Sequence, residues 1–153
     1  MSPSTPRALF ALALLAGCGP APTTYEVDLI TTSRCTNRGG EESCDTPADE
    51  RLTQSLVIEP RGDEVLLLLG ERMFLASAST GALEARRELL RTELETGCER
   101  ATTEVLVVTP DGSDVEGSLE EEVLVTGPET RCGQTPFGDR SLYELRGTEI
   151  EGP

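Results

Sequence analysis

The chain of 153 residues carries 28 acidic residues against 13 basic ones, every one of them arginine, for a formal net charge of -15, and it holds no His, Lys or Trp. Those absences remove a His general base, an imidazole metal ligand, a Schiff-base or P-loop lysine and an indole stacking platform. The acidic balance also argues against nucleic acid as a partner, because phosphates are held by basic side chains that release counterions.

The first segment, Met1-Ser-Pro-Ser-Thr-Pro-Arg7, leads into the apolar run 8–16 and then Gly17-Cys18. One basic residue, a short apolar stretch and a small-residue exit form a secretory signal. The run is far shorter than the roughly 20 apolar residues a membrane-spanning helix needs. Its end, Leu15-Ala16-Gly17-Cys18, resembles the lipobox of bacterial lipoproteins, and the resemblance covers the leader alone. It implies that the thiol of Cys18 receives a diacylglycerol, that residues 1–17 are removed, and that the new amino group is acylated. No other cofactor is expected, and no metal. One acyl chain gives marginal membrane binding, at about 0.8 kcal/mol per buried methylene, whereas two or three hold a protein almost permanently. Residue 19 is Gly and not the Asp that marks inner-membrane retention in Gram-negative lipoproteins, so the resemblance implies a cell-envelope protein delivered to the outer membrane in a cell that has one. The competing reading is an ordinary secreted protein with a chance cysteine near its cleavage site.

With Cys18 set aside, Cys35, Cys44, Cys98 and Cys132 remain, and four cysteines in an oxidising compartment read as two disulfides. No pair has C-x2-C spacing and there is no His to complete a zinc site. Three pairings are open. Cys35–Cys44 and Cys98–Cys132 are favoured because each brackets a contiguous segment.

Removal of Arg7 with the leader leaves 12 arginines against 28 acidic residues. Residues 18–24 form the lipidated cysteine and a polar, Pro-containing tether, and residues 25–151 are long enough for one domain. The stretch 25–32 alternates Tyr25, Val27 and Leu29 with Glu26 and Asp28, as a half-buried strand does. Residues 33–51 read as a disulfide-closed loop. Strands are predicted over 52–59, 64–69 and 72–77, separated by turn chemistry at 60–63 and at Gly70. Residues 82–95 are rich in helix formers with Gly97 as a C-terminal cap. Arg86 and Glu93 interrupt the apolar arc of a helical wheel, so two strands are favoured there over one short helix. Beyond Cys98, residues 102–109 and 114–126 read as a long hairpin around Pro110-Asp111-Gly112-Ser113. Val115, Leu119, Val123 and Val125 share one face of its return strand, and Glu116, Ser118, Glu120 and Glu122 the other. Residues 141–150 form a closing strand.

The expected fold is all-β, an antiparallel up-and-down barrel or sandwich of about seven to nine strands. The stretches Cys98 to Thr103, Val115 to Leu119 around Gly117, and Ser141 to Gly147 around Tyr143 resemble strands of the small lipocalin-like barrels of bacterial envelope lipoproteins. The likeness spans about half the domain. The Gly-x-Trp signature of lipocalins proper is absent, since the chain has no Trp.

Candidate chemistry is sparse. Arg61-Gly62-Asp63 matches an integrin-binding tripeptide but has the composition of a β-turn. Asp111, Ser113, Asp114 and Glu116 gather hard oxygens, yet Gly112 directly after Asp111 breaks the calcium-loop pattern. Within Glu120-Glu121-Glu122 the period of two sends Glu121 inward, where an arginine from another strand would have to pair with it, either as structure near a barrel mouth or as the polar anchor of a cavity. Paired carboxylates could serve glycoside hydrolysis, but beyond the leader the only aromatic residues are Tyr25, Phe74, Phe137 and Tyr143, and an enzyme is not expected. Residues 131–140 read as an irregular loop, with Phe137 and Arg140 the best candidates for docking a partner. The expected function is a non-catalytic binding module whose partners are the membrane, through its lipid, and another envelope protein. A carrier of a small apolar ligand is the alternative.

Overall fold

A computed structural model describes residues 20–48, 50–77, 81–93, 95–132 and 137–150. Cys18 and the leader lie outside the described residues. The elements are β1 (Thr23–Arg38), β2 (Glu41–Asp45), β3 (Arg51–Arg61), β4 (Glu64–Leu69), β5 (Arg72–Ser77), β6 (Leu83–Thr92), β7 (Glu99–Asp111), β8 (Asp114–Thr126), the short helix α1 (Glu129–Cys132) and β9 (Phe137–Glu149). Among the described residues no helix is long and apolar enough to cross a membrane.

All pairings are antiparallel, in the order β5-β4-β3-β1-β9-β8-β7-β6, with β2 on the outer end of β1. Apart from β2, neighbours in space are neighbours in sequence, and the first and last strands pair along Tyr25 to Arg38. The result is an up-and-down barrel, nearly closed, whose remaining seam lies between β5 and β6, where no ladder forms. Curling the sheet this far brings its two edge strands, β5 and β6, face to face across the seam.

The alternation of the sequence builds the interior. Tyr25, Val27 and Leu29 of β1 point inward, as do Leu56 and Ile58 of β3, Leu67 and Leu69 of β4, Phe74 of β5, Leu106 and Val108 of β7, Leu119 of β8 and Leu145 of β9, and together they form one core cluster. Gly117 sits on this inner face opposite Val108. A Cβ there would collide with the Val107 carbonyl oxygen, so the residue lets β7 and β8 approach closely where the barrel curls.

Three expectations change. Residues 33–51 are not a loop: β1 runs on to Arg38 and returns as β2 through Gly39 and Gly40, at φ 63° and 91°, the paired positive angles of a tight type I′ hairpin. Residues 83–92 form one strand, neither two strands nor a helix. Their poor helical amphipathicity is matched by a good period of two, with Leu83 and Ala85 buried, and the whole strand pairs with β7. Among the described residues the one short helix is α1 instead, whose Arg131 and Cys132 amides donate to the Pro128 carbonyl at 2.9 and 2.8 Å.

The barrel has two unlike ends. At the proximal end β1 begins and β9 finishes, and the tight turns β3–β4 and β7–β8 lie there. At the distal end are the β1–β2 hairpin, the β4–β5 turn, and the connections β6–β7 and β8–β9. The six-residue strands β4 and β5 enclose only the proximal part. Beyond them β6 is exposed from Glu88 onward and β2 throughout.

Candidate functional site

The predicted inward carboxylate, Glu121, is half-buried, with its Oε2 3.6 Å from Arg72 Nη1 of β5. It is the lesser member of a cluster. Directly opposite it on β7 stands Glu104, only 2% exposed. Glu104 Oε1 lies 3.2 Å from Arg72 Nη1, and its Oε2 accepts a hydrogen bond from Arg87 Nε of β6. The Arg87 guanidinium also lies 5.1 Å from the centre of the Phe74 ring, at cation–π distance. Arg72 Nη1 is buried and pairs with the two carboxylates by charge, without a hydrogen bond to either.

This arrangement explains how the seam is held. β5 supplies Arg72 and Phe74, β6 supplies Arg87, and both arginines converge on a carboxylate from β7, so side chains join two strands that share no ladder. A buried carboxylate costs several kcal/mol unless paired and hydrogen-bonded, and two guanidinium groups meet that requirement. Glu104 was legible in principle: it lies two residues before Leu106 and four before Val108, so the same period of two that turns Glu121 inward turns Glu104 inward as well.

The distal end carries both disulfides. Cys35–Cys44 joins directly opposed residues of β1 and β2, and Cys98–Cys132 ties the β6–β7 connection to α1. These are the expected pairings. Phe137 and Arg140 both stand in the first turn-proximal residues of β9 and not in a loop. Arg38 lies 4.9 Å over the Phe137 ring and 3.5 Å from Asp139. Arg140 donates to Glu42 of β2 at 2.9 Å. Both residues line a pocket of about 170 Å³ with Leu124 and the Cys35 end of the disulfide.

The outer wall near the proximal end forms an acidic groove of about 570 Å³ that includes Glu26, Asp28, Asp111, Asp114, Glu116 and Arg146. Asp111, Asp114 and Glu116 do not converge as metal ligands: among the described residues the one such group is Cys35, Glu42 and Cys44, and its two sulfurs are already bonded to each other. Arg61 of the Arg-Gly-Asp tripeptide is held by Glu59 through two hydrogen bonds of 3.0 and 3.3 Å. The phenol of Tyr25 is pushed above its ordinary range, first by burial and then by the charge of Glu149, its neighbour across the ladder.

Fold and sites together define a small all-β barrel with two disulfides, compatible with a lipocalin-like barrel. The chain matches no protein-family model, and no curated protein matches it.

Proposed function

We propose that the protein is an envelope lipoprotein, anchored through lipid on Cys18, whose barrel is a non-catalytic interaction module presenting its distal end to another envelope protein. One observation carries this reading: the chain enters at the proximal end, at Thr23, while both disulfides and the Phe137 and Arg140 region lie at the opposite end of the strands. A 13-residue strand such as β9 spans roughly 40 Å at about 3.3 Å per residue. An anchor at residue 18 therefore leaves the distal end facing away from the bilayer. The buried carboxylate of Glu104 is engaged by arginines, which supports a structural role for it over a catalytic one.

The carrier alternative requires a hollow interior. The fully buried Leu67, Leu106, Leu119, Leu145 and Phe74 occupy the space a calyx would need, which favours the interaction module.

The test is labelling of expressing cells with an alkynyl fatty acid, followed by membrane fractionation. The wild-type chain incorporates label and sediments with membranes, and Cys18→Ala does neither. Label in Cys18→Ala equal to wild type overturns the anchor. A photo-crosslinking residue at Phe137 then traps an envelope protein that one at Ser113, in the proximal β7–β8 turn, does not.

A further inference from the structure

Among the described residues, nine of the twelve arginines have a carboxylate oxygen within 4.0 Å. The three that do not, Arg91, Arg100 and Arg131, line one pocket. It has a volume of about 320 Å³ at the distal end, and Val125, Phe137 and the Cys98–Cys132 disulfide complete its walls. In a chain with 28 acidic residues, every other described arginine has found a partner. The residues next in sequence that lie outside the description, 94 and 133–136, carry no acidic side chain.

The ladder registers show how the pocket is built. Arg91 of β6 stands directly opposite Arg100 of β7, Arg100 opposite Val125 of β8, and Val125 opposite Phe137 of β9. One row across four strands thus runs from two guanidinium groups to two apolar side chains, with Arg131 brought in by α1 and its disulfide. Glu93 also borders the pocket, but its carboxylate accepts a hydrogen bond from Thr96 Oγ1 at 2.8 Å, within its own connection. Like charges directly opposed across a ladder are destabilising. Among the described residues no carboxylate oxygen lies within 4.0 Å of either guanidinium of the Arg91–Arg100 pair, and an anion between them would relieve it.

We infer that this pocket binds a small organic anion, a carboxylate or phosphate monoester carrying an apolar group about the size of one ring. Planar guanidinium forks match the paired oxygens of either headgroup, Phe137 and Val125 offer the apolar wall, and the volume is that of a small ligand site. The site occupies the distal end assigned above but does not depend on the anchor. Fatty-acid labelling tests the anchor and ligand titration tests the site, so either can fail alone.

The experiment is calorimetric titration of the full chain in a nonionic detergent with phenyl phosphate, benzoate and the neutral benzyl alcohol. Phenyl phosphate or benzoate binds saturably at one site, benzyl alcohol does not, and raising salt from about 50 to about 500 mM weakens the anion. Arg100→Gln and Arg131→Gln each weaken it about three- to tenfold, and Arg61→Gln, at the proximal end, leaves it unchanged. Arg100→Gln also raises the unfolding midpoint of the ligand-free protein, because it relieves the opposed pair; a residue kept for structure would lower it. Absence of saturable binding by both anions, or binding undiminished in both Arg100→Gln and Arg131→Gln, overturns the proposal.

Discussion

The two ends of the barrel are held by different physics. At the proximal end eight strands surround a core whose side chains, among them Leu67, Leu69, Leu106 and Leu145, are fully buried, and no disulfide is present among the described residues there. At the distal end few side chains are buried. Leu90, 71% exposed, and Leu89, 52% exposed, stand on a sheet that has outrun its core. Both disulfides and the ion pairs Arg38–Asp139, Arg34–Glu50 and Arg140–Glu42 lie there. Strands this long can project beyond the volume their hydrophobic residues fill only if local cross-links replace the missing burial. The Glu104 cluster marks the junction, closing the barrel with charge where the ladder stops.

The largest effect is expected at that junction. Glu104→Ala leaves Arg87 without its carboxylate and Arg72 with Glu121 alone, and lowers stability by about 3 to 5 kcal/mol, read from urea denaturation followed by circular dichroism. Next, Leu67→Ala opens a cavity in the proximal core and costs about 2 to 5 kcal/mol, whereas Leu90→Ala at the distal end stays within about 0.5 kcal/mol. If both leucines cost the same, the contrast between the ends is wrong. Removing a distal staple, as Cys98→Ser with Cys132→Ser, costs about 2 to 4 kcal/mol, and Cys35→Ser with Cys44→Ser costs less because it closes a shorter loop. The smallest effect is a pH dependence. Because burial and Glu149 raise the Tyr25 phenol above its unfolded value of 10.0, its contribution to stability is complete below that pH and is lost as pH rises from there through the folded value. An alkaline titration followed at the tyrosinate absorbance should show Tyr25 ionising above the ordinary range of a phenol, with stability falling as it does.

Local period, turn chemistry and cysteine spacing made much of the barrel legible. The bounds of β4, β5 and β8 are those the alternation predicts, because each is short or is bracketed by Gly turns. The β1–β2 hairpin was hidden because Arg34 to Asp45 is polar on both faces: its strands are held by a disulfide and a Gly39-Gly40 turn and bury almost nothing, so no apolar period marks them. Residues 83–92 were ambiguous because their propensity is helical, and pairing with β7 overrides it. Glu121 could be placed inward from its own strand. The convergence of Arg72, Arg87 and Glu104 on the seam could not, since it depends on how far the sheet curls. The same holds for Arg91, Arg100 and Arg131, which lie on two strands and a helix and meet only in the folded chain.

The division between a packed end and a stapled end is tested most directly by residue-resolved amide hydrogen exchange of the Cys98→Ser, Cys132→Ser protein. The strands β7 and β8 run through both ends, so each supplies its own control. Amides at 99–101 and 124–126 should lose protection by tenfold or more while those at 106–108 and 117–119, in the same two strands, exchange as in the wild type relative to global stability. Equal loss along the full length of both strands would contradict it.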